Sequence, residues 1–136
     1  MNGNSNLGSY GSTVLRLVVG IVFIAHGWQK LFTMHISGVA GFLGMLHIPL
    51  PGVSAIVLTF VELLGGLALV LGIVTRWAAL LLAFDMLVAI LAVHLKNGFF
   101  MPHGYEYAVT LLAACIALAM TGPGLGSLDD VLAKRT

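Results

Sequence analysis

Apolar residues dominate four long stretches of this chain, and polar or helix-breaking residues separate them. The stretches cover residues 12–32, 53–74, 78–95 and 105–121. A helix rises about 1.5 Å per residue, so each stretch comes close to crossing a hydrocarbon core of roughly 30 Å. The pattern predicts an all-α membrane protein, in which residues 1–136 form a single domain: an antiparallel bundle of four transmembrane helices.

The segment between the first two stretches has a different character. Glycine and proline interrupt residues 33–52, yet apolar side chains recur there at helical spacing. These apolar residues are Ile36, Val39, Ala40, Leu43 and Leu46. We predict a short amphipathic helix over residues 36–47, lying in the membrane interface and ended by Pro49.

Both ends of the chain are polar. Residues 1–10 are polar without charged side chains, a composition that predicts disorder. Residues 122–136 are predicted to form a cytoplasmic tail. Within the tail, Ser127 precedes Asp130 by three residues, which is the spacing of a capping box or its aspartate equivalent. The tail is therefore expected to contain a short terminal helix.

Composition supports a membrane setting. Hydrophobic residues make up 60% of the chain, only 8% are charged, and the mean hydropathy is +1.07. Soluble domains carry about 25% charged residues, so the expected surroundings are a lipid bilayer. A net charge of +1 gives no electrostatic case for nucleic acid. The single Cys115 cannot form an intramolecular disulfide.

Basic residues near the ends of the stretches predict the orientation. Arg16, Arg76, Lys134 and Arg135 fall on one side, and Lys30 and Lys96 on the other. The positive-inside rule then predicts a multi-pass protein of the bacterial inner membrane with both termini in the cytoplasm. In this topology all five histidines lie in or beside the external half: His26, His35, His47, His94 and His103.

Charged residues inside the apolar stretches need a reason, because a charge in a bilayer is costly. Arg16 and Asp85 lie at comparable estimated depths from the cytoplasmic face, and Arg16 is predicted to face the bundle interior in a structural ion pair with an acid, Asp85 being favoured over Glu62. Glu62 lies near the middle of the second stretch, at a depth close to that of His26. The pair Gly65-Gly66 follows it and would let a neighbouring helix approach.

Further polar candidates share that external level. They are His94, Glu106 and Lys30, which with His26 and Glu62 predict a polar pocket for ligand or proton handling. The alternative is a closed polar network, in which Glu106 is a first-turn acid and Lys30 snorkels to the interface. No metal site is predicted, since no two histidines stand at i, i+4. Haem held by His26 and His94 is disfavoured, because no spacing specifies it.

Several motifs combine into a recognisable pattern. The first stretch reads Leu15-Arg16-Leu17, Gly20, Phe23, His26-Gly27 and Lys30-Leu31-Phe32, and the second reads Glu62, Gly65-Gly66, Leu71-Gly72 and Thr75-Arg76. Then come His94, Asn97-Gly98-Phe99, Gly104-Tyr105-Glu106-Tyr107, Thr121-Gly122-Pro123-Gly124 and Ser127-Leu128-Asp129. From about Leu15 to Asp129, this combination resembles the DoxX family of small bacterial membrane proteins.

The resemblance implies a four-helix bundle of the inner membrane. The family is named for its similarity to the membrane subunit of an archaeal thiosulfate:quinone oxidoreductase, and some relatives are linked to redox stress, sulfur metabolism or detoxification of aromatic compounds. The chain is therefore expected to be a redox-associated subunit that handles a quinone or small aromatic molecule together with a membrane or soluble redox partner protein. The alternative is a non-enzymatic scaffold or transporter-like bundle that binds a small hydrophobic ligand. Whether it is an enzyme or a homo-oligomer stays open at this point.

Overall fold

A computed structural model describes residues 3–135, whose regular elements are all helical. The α-helices are α1 (Gly3–Trp28), α2 (His35–Met45), α3 (Pro51–Leu71), α4 (Thr75–Ala89), α5 (Glu106–Thr121) and α6 (Leu128–Ala133). Two π-helical segments, Gln29–Met34 and Ile90–His94, extend α1 and α4, and a 3₁₀ turn follows at Leu95–Asn97. The predicted all-α class is confirmed.

Three helical stretches of the described chain are long and apolar enough to cross a membrane. They are Asn6–Met45, Pro51–Leu71 and Thr75–Asn97, while the apolar helix Glu106–Thr121 is shorter. Many large apolar side chains point away from the bundle, among them Trp77 and Phe84, which are 72% and 66% exposed. In a bilayer, lipid covers such side chains without the cost that water would impose.

The main core lies where α1, α3, α4 and α5 face one another. Its fully buried side chains include Phe23 of α1, Leu69 of α3, Leu82 of α4 and Leu118 of α5. A second, smaller core joins α2 to α3. There Val39 and Leu43 pack against Ala55, so the predicted helix between the first two stretches is present and its apolar face is covered by the bundle.

Glycines let α1 and α3 come into close contact. A Cβ placed on Gly20 would lie 2.7 Å from the carbonyl oxygen of Gly66, and one placed on Gly66 would lie 2.7 Å from the backbone nitrogen of Ile24. No real Cβ fits at such distances. The predicted close approach at Gly65-Gly66 is confirmed, with Gly65 turned to Leu82 of α4 instead. This contact fixes which residues of α1 face α3 further along the two helices.

The ends of the chain are more ordered than the sequence suggests. α1 begins at Gly3, so the disorder predicted over residues 1–10 is wrong for residues 3–10, and residues 1 and 2 lie outside the described residues. The reason is tertiary: the tail packs against this segment, since a Cβ on Gly124 would collide with the Ser9 carbonyl, and the Thr13 hydroxyl donates to the carbonyl of Leu125. The predicted cap is confirmed, because Ser127 Oγ accepts from the backbone N–H of Asp130 at 3.1 Å.

The tail also clamps the turn between α3 and α4. The Asp129 carboxylate accepts from the backbone N–H groups of Val74 and Thr75 at 2.7 and 2.9 Å, and the Asp129 N–H donates to the Gly72 carbonyl. Gly72 and Val74 have φ of 67° and 44°, in the left-handed region. That conformation is strained for a β-branched residue such as Val74, and the Asp129 contacts stabilise it.

Candidate functional site

The bundle has two distinct ends. At the terminal end, marked by the contact of Thr13 with Leu125, α1 begins and the tail folds back. At the opposite, loop end, the ring of His26 on α1 meets the ring of Tyr107 near the start of α5, edge to face, with centroids 6.1 Å apart. The polar residues that the sequence placed in the external half fall at this loop end.

An ion pair joins the π-helical extension of α1 to α3 near the loop end. Lys30 Nζ lies 2.6 Å from Glu62 Oε2. The Glu62 side chain is 4% exposed and that of Lys30 is 21% exposed, so the carboxylate is inside the bundle and the ammonium is near its edge. Lys30 therefore does more than snorkel: its charge is paired with an acid in the interior.

His26 faces the same acid. It precedes Lys30, in the π-helical extension of α1, by four residues, about one helical turn, so the two side chains point to the same side. The imidazole is half-buried and lies within the electrostatic influence of both Glu62 and Lys30. A direct or water-mediated hydrogen bond between His26 and Glu62, and any functional role for them, stay predictions.

Asp85 of α4 is the unexpected member of the group. It is 6% exposed, and its carboxyl group is close enough to interact directly with the Glu62 carboxyl. Its Oδ2 atom receives no hydrogen bond from any N–H or O–H group of residues 3–135. We refer to His26, Lys30, Glu62 and Asp85 together as the polar cluster.

The structure does not form the predicted ion pair between Arg16 and Asp85. Arg16 is 2% exposed and lies at the terminal end, where its guanidinium donates to five backbone carbonyl oxygens. The acceptors are Leu69, Val70, Pro123, Leu125 and Gly126, at 2.6 to 3.1 Å. The physical reason is that the last carbonyls of α3 and those of the tail converge there, and they carry the partial negative charge of a helix C-terminus.

His94 and Glu106 have partners in the loop between α4 and α5. The His94 ring nitrogen Nδ1 lies 3.0 Å from the carbonyl oxygen of His103, and Glu106 Oε1 accepts from the backbone N–H of Met101 at 3.0 Å. These contacts hold the loop in place. Of the five residues predicted to form the pocket, Lys30 and Glu62 are paired, whereas the hydrogen bonds of His94 and Glu106 organise the loop. A common ligand or proton-handling role for the five stays a prediction.

The polar cluster has a defined chemical capacity. Lys30 and His26 offer N–H donors, Glu62 and Asp85 offer carboxyl oxygens, and Tyr107 adds an aromatic ring beside His26. Among the described residues, no group of three or more histidine, cysteine, aspartate or glutamate side chains is arranged to hold a metal ion. The arrangement is suited to hydrogen-bonding a polar head group and to holding a proton.

Comparison with known proteins gives a consistent picture. A family model described as DoxX matches residues 11–95. The chain is 36% identical to "Putative oxidoreductase CatD" of Bacillus subtilis, over 91% of this chain and 88% of that protein. It is 33% identical to "Inner membrane protein YqjF" of Escherichia coli, over 92% of this chain and 94% of that protein. It is 34% identical to "Uncharacterized membrane protein Rv3486" of Mycobacterium tuberculosis, over 89% of this chain and 80% of that protein. No solved structure matches the chain.

Proposed function

This chain belongs to the DoxX family of membrane proteins, and from that premise we propose that it binds a quinone or similar small aromatic molecule at the polar cluster, as a redox-associated component working with a partner protein. The observation that carries the proposal is the Lys30–Glu62 ion pair, set inside the loop end with His26 beside it. The name of the relative CatD, which describes an oxidoreductase, supports the redox assignment.

The chemistry of a quinone matches the cluster. Its two carbonyl oxygens accept hydrogen bonds, which the Lys30 ammonium and the His26 ring can donate. An imidazole can gain or lose a proton near physiological pH, which suits it both to hydrogen bonding and to proton exchange. The Tyr107 ring offers an aromatic surface at the same level, since it meets His26 edge to face. The single Cys115 cannot cycle between dithiol and disulfide, so we assign the electrons to the partner protein.

We also propose that the bundle crosses the inner membrane four times with both termini in the cytoplasm. Arg16 and Arg76 support this orientation, because both bind carbonyls at the terminal end, where the tail brings Lys134 and Arg135. A reporter enzyme that is active only outside the cytoplasm should be active when fused within residues 35–49 and inactive when fused after residue 136. The same activity at both positions would contradict four spans.

The ligand proposal is tested by binding to the purified full chain in lipid nanodiscs. The probe is a water-soluble naphthoquinone, with affinity measured by calorimetry. We expect saturable binding to the natural protein, and a dissociation constant raised about tenfold in His26→Ala and in Glu62→Gln, because each change removes a hydrogen-bonding or charged group from the site. His103→Ala is the matched control: it removes an exposed histidine side chain at the loop end, outside the cluster, and should leave the affinity unchanged.

One observation favours the non-enzymatic alternative. Lys30 and Glu62 already form an ion pair with each other at 2.6 Å, as they would if their role were only structural and held the first two long helices together. In that case the naphthoquinone would not bind, or would bind with the same affinity to His26→Ala and Glu62→Gln. Either result would contradict the quinone proposal and favour a scaffold or transporter-like bundle.

A further inference from the structure

We propose that Asp85 and Glu62 form a carboxyl pair that holds one exchangeable proton inside the bundle, with Asp85 protonated and donating to an ionised Glu62. The site is a proton-binding site between α3 and α4. The site deepens the proposed function, because it names a proton donor for the ligand. The use of the proton rests on the proposed function, whereas the presence of the proton does not.

The first support is the environment of the two carboxyl groups. Asp85 and Glu62 are 6% and 3% exposed, and their carboxyl groups are close enough to interact directly. Two carboxylates cannot hydrogen-bond each other, because neither has a hydrogen to donate. Asp85 Oδ2 finds no other donor within residues 3–135, and Asp85 lies between Leu82 and Met86 of the main core. A proton on Asp85 turns two acceptors in contact into a donor and an acceptor.

The second support is the balance of charge. Glu62 of α3 and Asp85 of α4 form the pair, and the charged and titratable groups around it are His26 from α1, Lys30 from the π-helical extension of α1, and Cys115 from α5. One lysine ammonium can compensate one carboxylate. Like charges in contact inside a medium of low dielectric constant repel strongly, so the second carboxyl group is expected to keep its proton.

The position of Lys30 decides which carboxyl group is ionised. Its ammonium is bonded to Glu62 Oε2 at 2.6 Å, a charge-assisted contact that favours the carboxylate form of Glu62. The proton therefore resides on Asp85, which lies among apolar side chains of the main core and has no cation bonded to it within residues 3–135. The resulting chain of contacts runs from the Lys30 ammonium to the Glu62 carboxylate and on to the Asp85 carboxylic acid, with no net charge.

Such a pair can serve the proposed ligand. Reduction of a quinone to a quinol takes up two electrons and two protons. The redox partner protein would supply the electrons, Asp85 would release one proton through Glu62, and water would supply the other. Asp85 is left as a carboxylate next to Glu62, and it regains a proton from water because two adjacent carboxylates are unfavourable.

Infrared spectroscopy of the ligand-free full chain in nanodiscs tests the proposal directly. At neutral pH we expect the carbonyl stretching band of a protonated carboxylic acid, which shifts to lower frequency in heavy water. Asp85→Asn should abolish the band while keeping the fold, because the amide is close in shape to the protonated acid and still offers a donor to Glu62. Asp130→Asn is the control, since Asp130 is partly exposed and pairs with Lys134; it should keep the band.

Two results would overturn the shared proton. The first is the absence of a protonated-acid band from the natural protein at neutral pH. The second is a band that persists in both Asp85→Asn and Asp85→Ala. The second variant covers the case in which the amide disturbs packing, and thermal unfolding checks that each variant is folded. Because no quinone is present, failure of the shared proton and failure of quinone binding are separate outcomes.

Discussion

Arg16→Ala is expected to lower the free energy of unfolding by about 4 kcal/mol, the largest loss among single changes at the terminal end. The guanidinium donates to five carbonyl oxygens from α3 and the tail, and it is 2% exposed. Alanine would leave carbonyls without donors in the interior, each at a cost of about 1–3 kcal/mol where water cannot reach. Unfolding by heat or denaturant in a mild detergent, followed by circular dichroism, measures the loss.

Two comparison variants separate the arginine from its charge and from its location. Arg16→Lys keeps the charge but presents its donors on a single nitrogen, so it should recover less than half of the loss. Arg76→Ala is the matched control, because Arg76 donates to the more exposed carbonyls of Ala119 and Met120; it should cost about 1 kcal/mol. Equal losses for Arg16→Ala and Arg76→Ala would contradict the importance of the buried contacts.

A double variant decides between carbonyl binding and the ion pair expected from the sequence. Since Arg16 binds carbonyls at the terminal end and Asp85 contacts Glu62, the effects of Arg16→Ala and Asp85→Ala should add. An ion pair would instead make the double variant more stable than the sum predicts, because removing Asp85 would relieve a stranded charge. If the double variant is more stable than the sum of the two single losses predicts by more than about 1 kcal/mol, the result supports an Arg16–Asp85 ion pair and contradicts carbonyl binding.

The fate of Arg16 shows what sequence reasoning lacks. Counting residues along apolar stretches estimates depth in the membrane, and it put Arg16 and Asp85 at comparable levels. Depth does not give the direction in which each side chain points, because the rotation of a helix about its axis is fixed only by packing. Backbone carbonyls at a helix end leave no mark in the sequence either, so five acceptors for one arginine could not be foreseen.

Features with a local signature were predicted well. The apolar stretches follow from hydropathy, the close contact of α1 and α3 follows from the small residues at Gly65-Gly66, and the start of α6 follows from Ser127 three residues before Asp130. Each depends on neighbours in sequence or on size alone. Disorder at residues 3–10 was wrong because the tail, more than 100 residues away, binds the start of α1.

The candidate site lies between these cases. His26 and Glu62 were matched by depth, and they lie on the two helices, α1 and α3, that come into close contact through Gly20 and Gly66. His94 and Glu106 have a similar depth, yet the loop between α4 and α5 takes up their hydrogen bonds. A side chain's level limits its partners, but competition from nearby backbone groups selects among them, and that competition becomes visible only in three dimensions.

Lys30→Met is the second change with a large expected effect. It keeps the apolar bulk of the side chain and removes the ammonium that lies 2.6 Å from Glu62. Glu62, 3% exposed and next to Asp85, would then be a buried carboxylate without its counter-charge. Breaking a buried pair by removing one partner costs about 3–5 kcal/mol, and because Lys30 is partly exposed we expect about 3 kcal/mol.

Neutralising both partners should restore most of that stability. In Lys30→Met with Glu62→Gln the stranded charge is gone, and replacing a buried ion pair by uncharged groups of similar size is often neutral. We therefore expect the double variant to be at least 2 kcal/mol more stable than Lys30→Met alone, measured by the same unfolding assay. Lys96→Met, which removes the other lysine of the loop end, serves as the control and should change stability by less than about 0.5 kcal/mol. If Lys30→Met matches this control, the ion pair does not hold α1 to α3, and the polar cluster loses its role in positioning His26 against Glu62.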